Sequence, residues 1–120
     1  ILFYLPLLLQ PINLLQLNFD KWRVEKKLIV HAAWGEIDSL SSVFYQNNII
    51  FANIWHTDII AMISAKSGSV IGWINITRLY PGQKNLGMQC RAANGITSGK
   101  TTNELIITGK CWKKLYEINY

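Results

Sequence analysis

Residues 48–64, NIIFANIWHTDIIAMIS, lie over residues 103–119, NELIITGKCWKKLYEIN, without a gap at an offset of 103 − 48 = 55. Ile50 falls on Leu105, Phe51 on Ile106, Ile60 on Leu115 and Ile63 on Ile118. Residues 14–30, LLQLNFDKWRVEKKLIV, overlay residues 60–76, IAMISAKSGSVIGWINI, in the same way at 60 − 14 = 46. Each copy reads as strand, polar turn, strand: short runs rich in Ile, Val, Phe and Tyr broken by Gly, Asn, Asp, Ser and Lys. A unit of this kind recurring every 46 to 55 residues has the spacing of propeller blades. The predicted fold is therefore all-β, a partial β-propeller of about two four-stranded blades. Since one sheet cannot bury both of its faces alone, the arc is expected to lean on further blades for stability.

Working outward, strands are expected at about 12–18, 24–30, 40–46, 49–54, 58–64, 69–76, 92–97, 104–108 and 113–119. The chain reads as one domain: an atypical apolar leader at 1–11, about one and a half blades at 12–76, a loop at 77–93 and a last blade portion at 94–120. A single helical turn is expected near Thr77–Tyr80, stopped by Pro81-Gly82, with Gln83–Arg91 an excursion. The opening Ile1–Leu9 is too short to span a bilayer, contains Pro6, and lacks both a starting Met and a basic flank. It is read as cut from something longer.

Half of the 120 residues are hydrophobic, which excludes a disordered or collagen-like chain. The net charge of +5 comes from twelve basic and seven acidic residues, but the basic ones are scattered, with no run longer than Lys26-Lys27 or Lys113-Lys114. No nucleic-acid stripe is visible, and neither a nucleic acid nor a membrane is an expected partner. Cys90 and Cys111 permit one disulfide without implying it. Asn75-Ile76-Thr77 is an N-glycosylation acceptor pattern and would suit a secreted chain.

The repeat also bears on chemistry. Trp55 and Lys110 occupy one repeat position, the bend after the second strand of neighbouring blades, and should emerge at the same end of the ring. There an aromatic face and an ammonium could meet one ligand.

At these residues the sequence resembles a known family. Phe51-Ala52-Asn53-Ile54-Trp55-His56-Thr57-Asp58-Ile59-Ile60-Ala61 is similar to the ANVWQTD strand of the plant and bacterial glutaminyl cyclotransferases. Asn94-Gly95-Ile96 resembles their NGIA, Thr108 to Ile118 their TGKxWPKLFEI, and Gly72-Trp73-Ile74 their GWI. Agreement is good over about 45–80 and 94–119 and weak over 12–30. The resemblance implies a five-bladed propeller that converts an N-terminal glutamine of a peptide or protein into pyroglutamate with release of ammonia. It implies no cofactor and no metal, and His31 and His56 have no ligand-like companions. A tendency to secretion comes with the family.

Cyclisation needs a group that shuttles a proton from the attacking amine to the leaving ammonia, donors for the oxyanion, and a slot that holds the attack geometry. By resemblance Trp55 is an aromatic wall, Lys110 a cationic donor near the substrate carbonyls, and Asn94 an amide that touches substrate or braces the channel. Packing between blades, a surface cation and a turn before Gly95 are the plain alternatives for these three. Trp112 is placed as structural.

Departures stand beside the matches. Where the family has Asn-Glu-Leu-Glu, this chain has Ser41-Ser42-Val43-Phe44, so that Ser41 replaces a substrate-touching amide. His31-Ala32-Ala33-Trp34-Gly35 replaces Thr-Asp-x-Gly, and Arg91-Ala92-Ala93 stands ahead of Asn94. The changes cluster in His31–Phe44 and Leu86–Ala93, and read either as a local gene-model error or as genuine loss. The family's proton-transferring acid belongs to an earlier blade, and Glu36, Asp38, Asp58 and Glu117 do not occupy its position. A non-catalytic propeller remnant that binds a peptide or protein is the rival expectation.

Overall fold

The computed structural model describes residues 2–4, 13–37, 39–79, 90 and 93–120. Among these residues three larger sheets carry the fold, with one two-stranded hairpin beside them. The first joins β1 (Leu2–Tyr4), β2 (Asn13–Asn18) and β3 (Arg23–Ile29). After a small hairpin, β4 (His31–Ala32) and β5 (Gly35–Glu36), comes the four-stranded sheet of β6 (Leu40–Gln46), β7 (Ile49–Ile54), β8 (Ile59–Ser64) and β9 (Val70–Asn75). The last sheet holds β10 (Ala93–Ser98), β11 (Glu104–Gly109) and β12 (Tyr116–Asn119). All pairings within the three sheets are antiparallel meanders, one whole blade between two three-stranded ones.

The repeat holds pair by pair. In the middle blade Ile49 pairs with Ser64, Ile50 with Ile63 and Phe51 with Met62. Each partner moved by 55 gives the pairs of the last blade, Glu104 with Asn119, Leu105 with Ile118 and Ile106 with Glu117. Likewise Leu14–Leu28 and Gln16–Lys26 of the first blade become Ile60–Ile74 and Met62–Gly72 at the offset of 46. Even the bulge is carried over, after Gln16 in one blade and after Met62 in the other.

The core lies between the sheets because strand residues alternate faces. Ile50, Ala52, Ala61 and Ile63 turn toward the first blade and pack with Leu14, Leu28 and Val30. Phe51 and Ile60 turn the other way, onto Ala93, Ile96, Leu105 and Ile107 of the last blade. This two-sided burial explains the nearly unbroken apolar run in β7, where a half-buried strand would alternate. Polar latches join the blades outside the core. Lys26 Nζ donates to the carbonyls of Ala65 (3.0 Å) and Lys66 (2.9 Å), and Asn47 Nδ2 donates to Thr102 O at 2.8 Å.

Some expectations change. Leu2–Tyr4 pairs with β2, so that part of the expected apolar leader is a strand. The expected strand at 113–119 starts at Tyr116, and Thr77–Leu79 is a turn closed by Leu79 N on Ile76 O rather than a helical turn. Ile60 is fully buried whereas its counterpart Leu115 is 67% exposed, because Ile60 has the last blade packed on it and Leu115 lies just before β12 on the face turned away from the middle blade. Most of the loop expected at 77–93 lies outside the described residues, as does Asp38.

Candidate functional site

Trp55 and Lys110 begin two turns of the same construction. Trp55 follows Ile54, and Thr57 N returns to Ile54 O at 3.1 Å; Lys110 follows Gly109, and Trp112 N returns to Gly109 O at 3.1 Å. The third turn residue has positive φ in both, 61° at His56 and 66° at Cys111. A hydrogen-bonded turn with positive φ at its third position is the type II pattern. Two unrelated dipeptides therefore adopt one backbone shape because the ladders beneath them run in one register.

The inner strands repeat the arrangement. Leu40 pairs with Ile54, and the ladder then slips before Val43, leaving Ser41 and Ser42 in the irregular stretch. Ala93 pairs with Gly109, and the ladder slips before Gly95, leaving Asn94 as the extra residue. Ser41 and Asn94 are thus each the first residue past equivalent pairs. Bulges unpair the backbone and re-aim the side chain, so Asn94 sits in a β-bulge rather than a turn before Gly95. The four residues singled out in the sequence occupy matched positions beside equivalent rungs: Ser41 and Trp55 on either side of Leu40–Ile54 in the middle blade, Asn94 and Lys110 on either side of Ala93–Gly109 in the last.

Their surroundings differ. Trp55 is 55% exposed, its ring lies 4.0 Å from that of His56, and its backbone N–H donates to Ser39 O at 2.7 Å. Lys110 and Asn94 are exposed. Ser41 is half-buried, and its Oγ donates to Asn53 O at 3.4 Å, which turns the hydroxyl toward the sheet. Cys111 is bonded to Cys90, tying the segment before β10 to the Lys110 turn. Trp112 is half-buried against the second core cluster and meets Tyr116 edge to face at 5.9 Å, a packing role. Asn75 ends β9 exposed, and its Oδ1 accepts from both Thr77 N (2.9 Å) and Thr77 Oγ1 (2.6 Å).

A sequence model for glutamine cyclotransferase matches residues 12–120. The chain belongs to the glutamine cyclotransferase family. It is 37% identical over 107 residues to a glutaminyl-peptide cyclotransferase of Arabidopsis thaliana, covering 88% of this chain and 33% of that protein. It is also similar to the crystal structure of the glutaminyl cyclase of Myxococcus xanthus, with a TM-score of 0.76 and 26% identity over 88% of this chain and 46% of that one. This member of the glutamine cyclotransferase family thus spans about a third of the length of its plant relative and under half of the bacterial one.

Two features of the chain escaped the sequence. Asn53, two residues before Trp55, is 1% exposed, and neither its Oδ1 nor its Nδ2 has a hydrogen-bond partner among the described residues. Its place in the apolar run FANI could have signalled a buried amide. The second is the pairing of Trp34 with Trp73, 39 residues apart in sequence, which no local pattern announces.

Proposed function

We propose that this chain supplies one side of the substrate site of a glutaminyl-peptide cyclotransferase. The observation that carries the reading is the matched pair of turns, which brings Trp55 and Lys110 to the same end of adjoining blades. In the reaction the α-amine of an N-terminal glutamine attacks its side-chain carbonyl carbon, forming the ring C–N bond. The amide nitrogen then takes up a proton and leaves as ammonia.

Each residue suits one requirement. Trp55 offers an indole face against which the glutamine side chain folds into attack geometry. The Lys110 ammonium opposes the negative charge that grows on the carbonyl oxygen. Asn94, re-aimed by its bulge, donates to a substrate carbonyl. Ser41 offers only a hydroxyl already engaged with Asn53 O, a weaker substitute for an amide. The proton shuttle is assigned by resemblance to an earlier blade, so turnover requires that blade. The Cys90–Cys111 bond and the exposed Asn75 acceptor pattern support passage through an oxidising, secretory route.

The test is ammonia release from a glutaminyl peptide by this chain, run beside a form carrying additional blades. Activity in the longer form that is lost on Lys110→Met supports the proposal; an inert, folded longer form sinks it. The engaged Ser41 favours a second reading, a propeller that binds peptides without turnover. Glutaminyl-peptide binding without ammonia release in the longer form would single it out.

A further inference from the structure

Beside the Trp55 turn lies a cleft of about 540 Å³ in which Trp34, Glu36 and Ile37, from the divergent stretch around the β4–β5 hairpin, meet Ile54, Thr57, Ile59 and Trp73 from the stretches that match the family. Trp34 from the hairpin and Trp73 from β9 form one wall, their rings stacked at 5.6 Å and 14°. Both stay wet, at 73% and 41% exposure, so this is not a core contact. Ile54 and Ile59 supply apolar surface beside the indoles.

Among the described residues Glu36 is the only charged one lining the cleft, and its carboxylate has no ion-pair partner among them. A free carboxylate beside two indole faces, on a chain of net charge +5, is a local reversal of sign. Indole faces attract cations, and guanidinium in particular stacks flat on them. The methylenes of a long basic side chain would lie along the two isoleucines while its head reaches the carboxylate.

We infer that the cleft is a subsite for an arginine or lysine side chain of a peptide. Its position rests on the peptide-binding reading above: Ile54 and Thr57, both in its lining, bracket Trp55 and His56 in sequence. A peptide whose first residue sits at Trp55 can therefore place a following basic side chain in the cleft.

The test uses the full chain and blocked probes with no N-terminal glutamine, N-acetyl-arginine amide and its neutral isostere N-acetyl-citrulline amide, followed by NMR of the indole N–H signals. The arginine probe is expected to shift the Trp34 and Trp73 signals saturably, with the citrulline probe about five-fold weaker. Glu36→Gln, on an exposed hairpin, should weaken arginine by about five-fold and leave citrulline unchanged; Trp34→Leu should weaken arginine in the same direction. Equal binding of the two probes, no effect of Glu36→Gln, or shifts confined to other residues overturns the inference. Arginine binding that persists where glutaminyl peptides fail to bind refutes the proposed function alone.

Discussion

Gly68 faces the backbone carbonyl of Ile29 so closely that a Cβ added to it would fall on the carbonyl oxygen, at the seam where the first blade meets the middle one. Gly68 has φ of +81°, and its own carbonyl accepts from His31 N at 3.1 Å. A Cβ there would run into backbone, which cannot swing aside as a side chain can. Gly68→Ala is therefore expected to cost about 2 kcal/mol or more, from the positive φ and the clash together. Gly35→Ala, also at positive φ but with open space around it, should cost less. Urea unfolding of the two variants checks the order.

Asn53 gives a prediction of opposite sign. Asn53 is a buried amide with no hydrogen-bond partner among the described residues, which opposes folding, so an apolar β-branched residue in its place should stabilise. Asn53→Val is expected to gain about 1 kcal/mol. A lower melting temperature would show that the amide is satisfied by solvent in the native protein.

The disulfide has a structural and a functional consequence. It closes a segment between residues 21 apart in sequence, worth about 3 kcal/mol by chain entropy. Cys90→Ser or treatment with a phosphine reductant should lower the melting temperature. The same change should loosen the Lys110 turn and weaken glutaminyl-peptide binding. Trp55→Ala should weaken that binding too, but without the loss of melting temperature.

Acid should unlatch the turn before β11. Glu104 Oε2 accepts from Thr101 N (3.0 Å) and Lys100 N (2.9 Å), and these backbone donors, Thr101 first, hold its pKa below the ordinary 4.5. A carboxylate with a lowered folded pKa stabilises at pH above its unfolded value, and the contribution fades as pH falls below about 4.5 through the folded value. Glu104→Gln should flatten the acid limb of a stability-against-pH curve and leave the neutral region less stable. Parallel melting series between pH 3 and pH 7 would show it.

Much of the frame was legible because register leaves a trace in sequence. Ile50 and Leu105, or Leu14 and Ile60, are apolar at matched offsets since both must face a neighbouring sheet. The turns of Trp55 and Lys110 followed from that arithmetic. What stayed hidden depends on contacts between segments without a shared pattern. Trp34 meets Trp73 only through the path of the β4–β5 hairpin, and the exposure of Leu115, where its counterpart Ile60 is buried, depends on what covers each sheet. Ser41 was readable as a departure, but its bond to Asn53 O was not. The pairing of β1 was obscured because an apolar run broken by Pro6 looks alike in a strand and in a leader.

The conserved ladder and the unequal offsets of 46 and 55 together separate what is fixed from what is free to vary. Insertions collect in the connections while every rung stays in step. A connection such as the one carrying Trp34 can thus acquire new recognition chemistry with no refolding of the blades beneath it. In this chain specificity can drift by loop exchange alone, and a designer could graft loops between the blades by the same offsets.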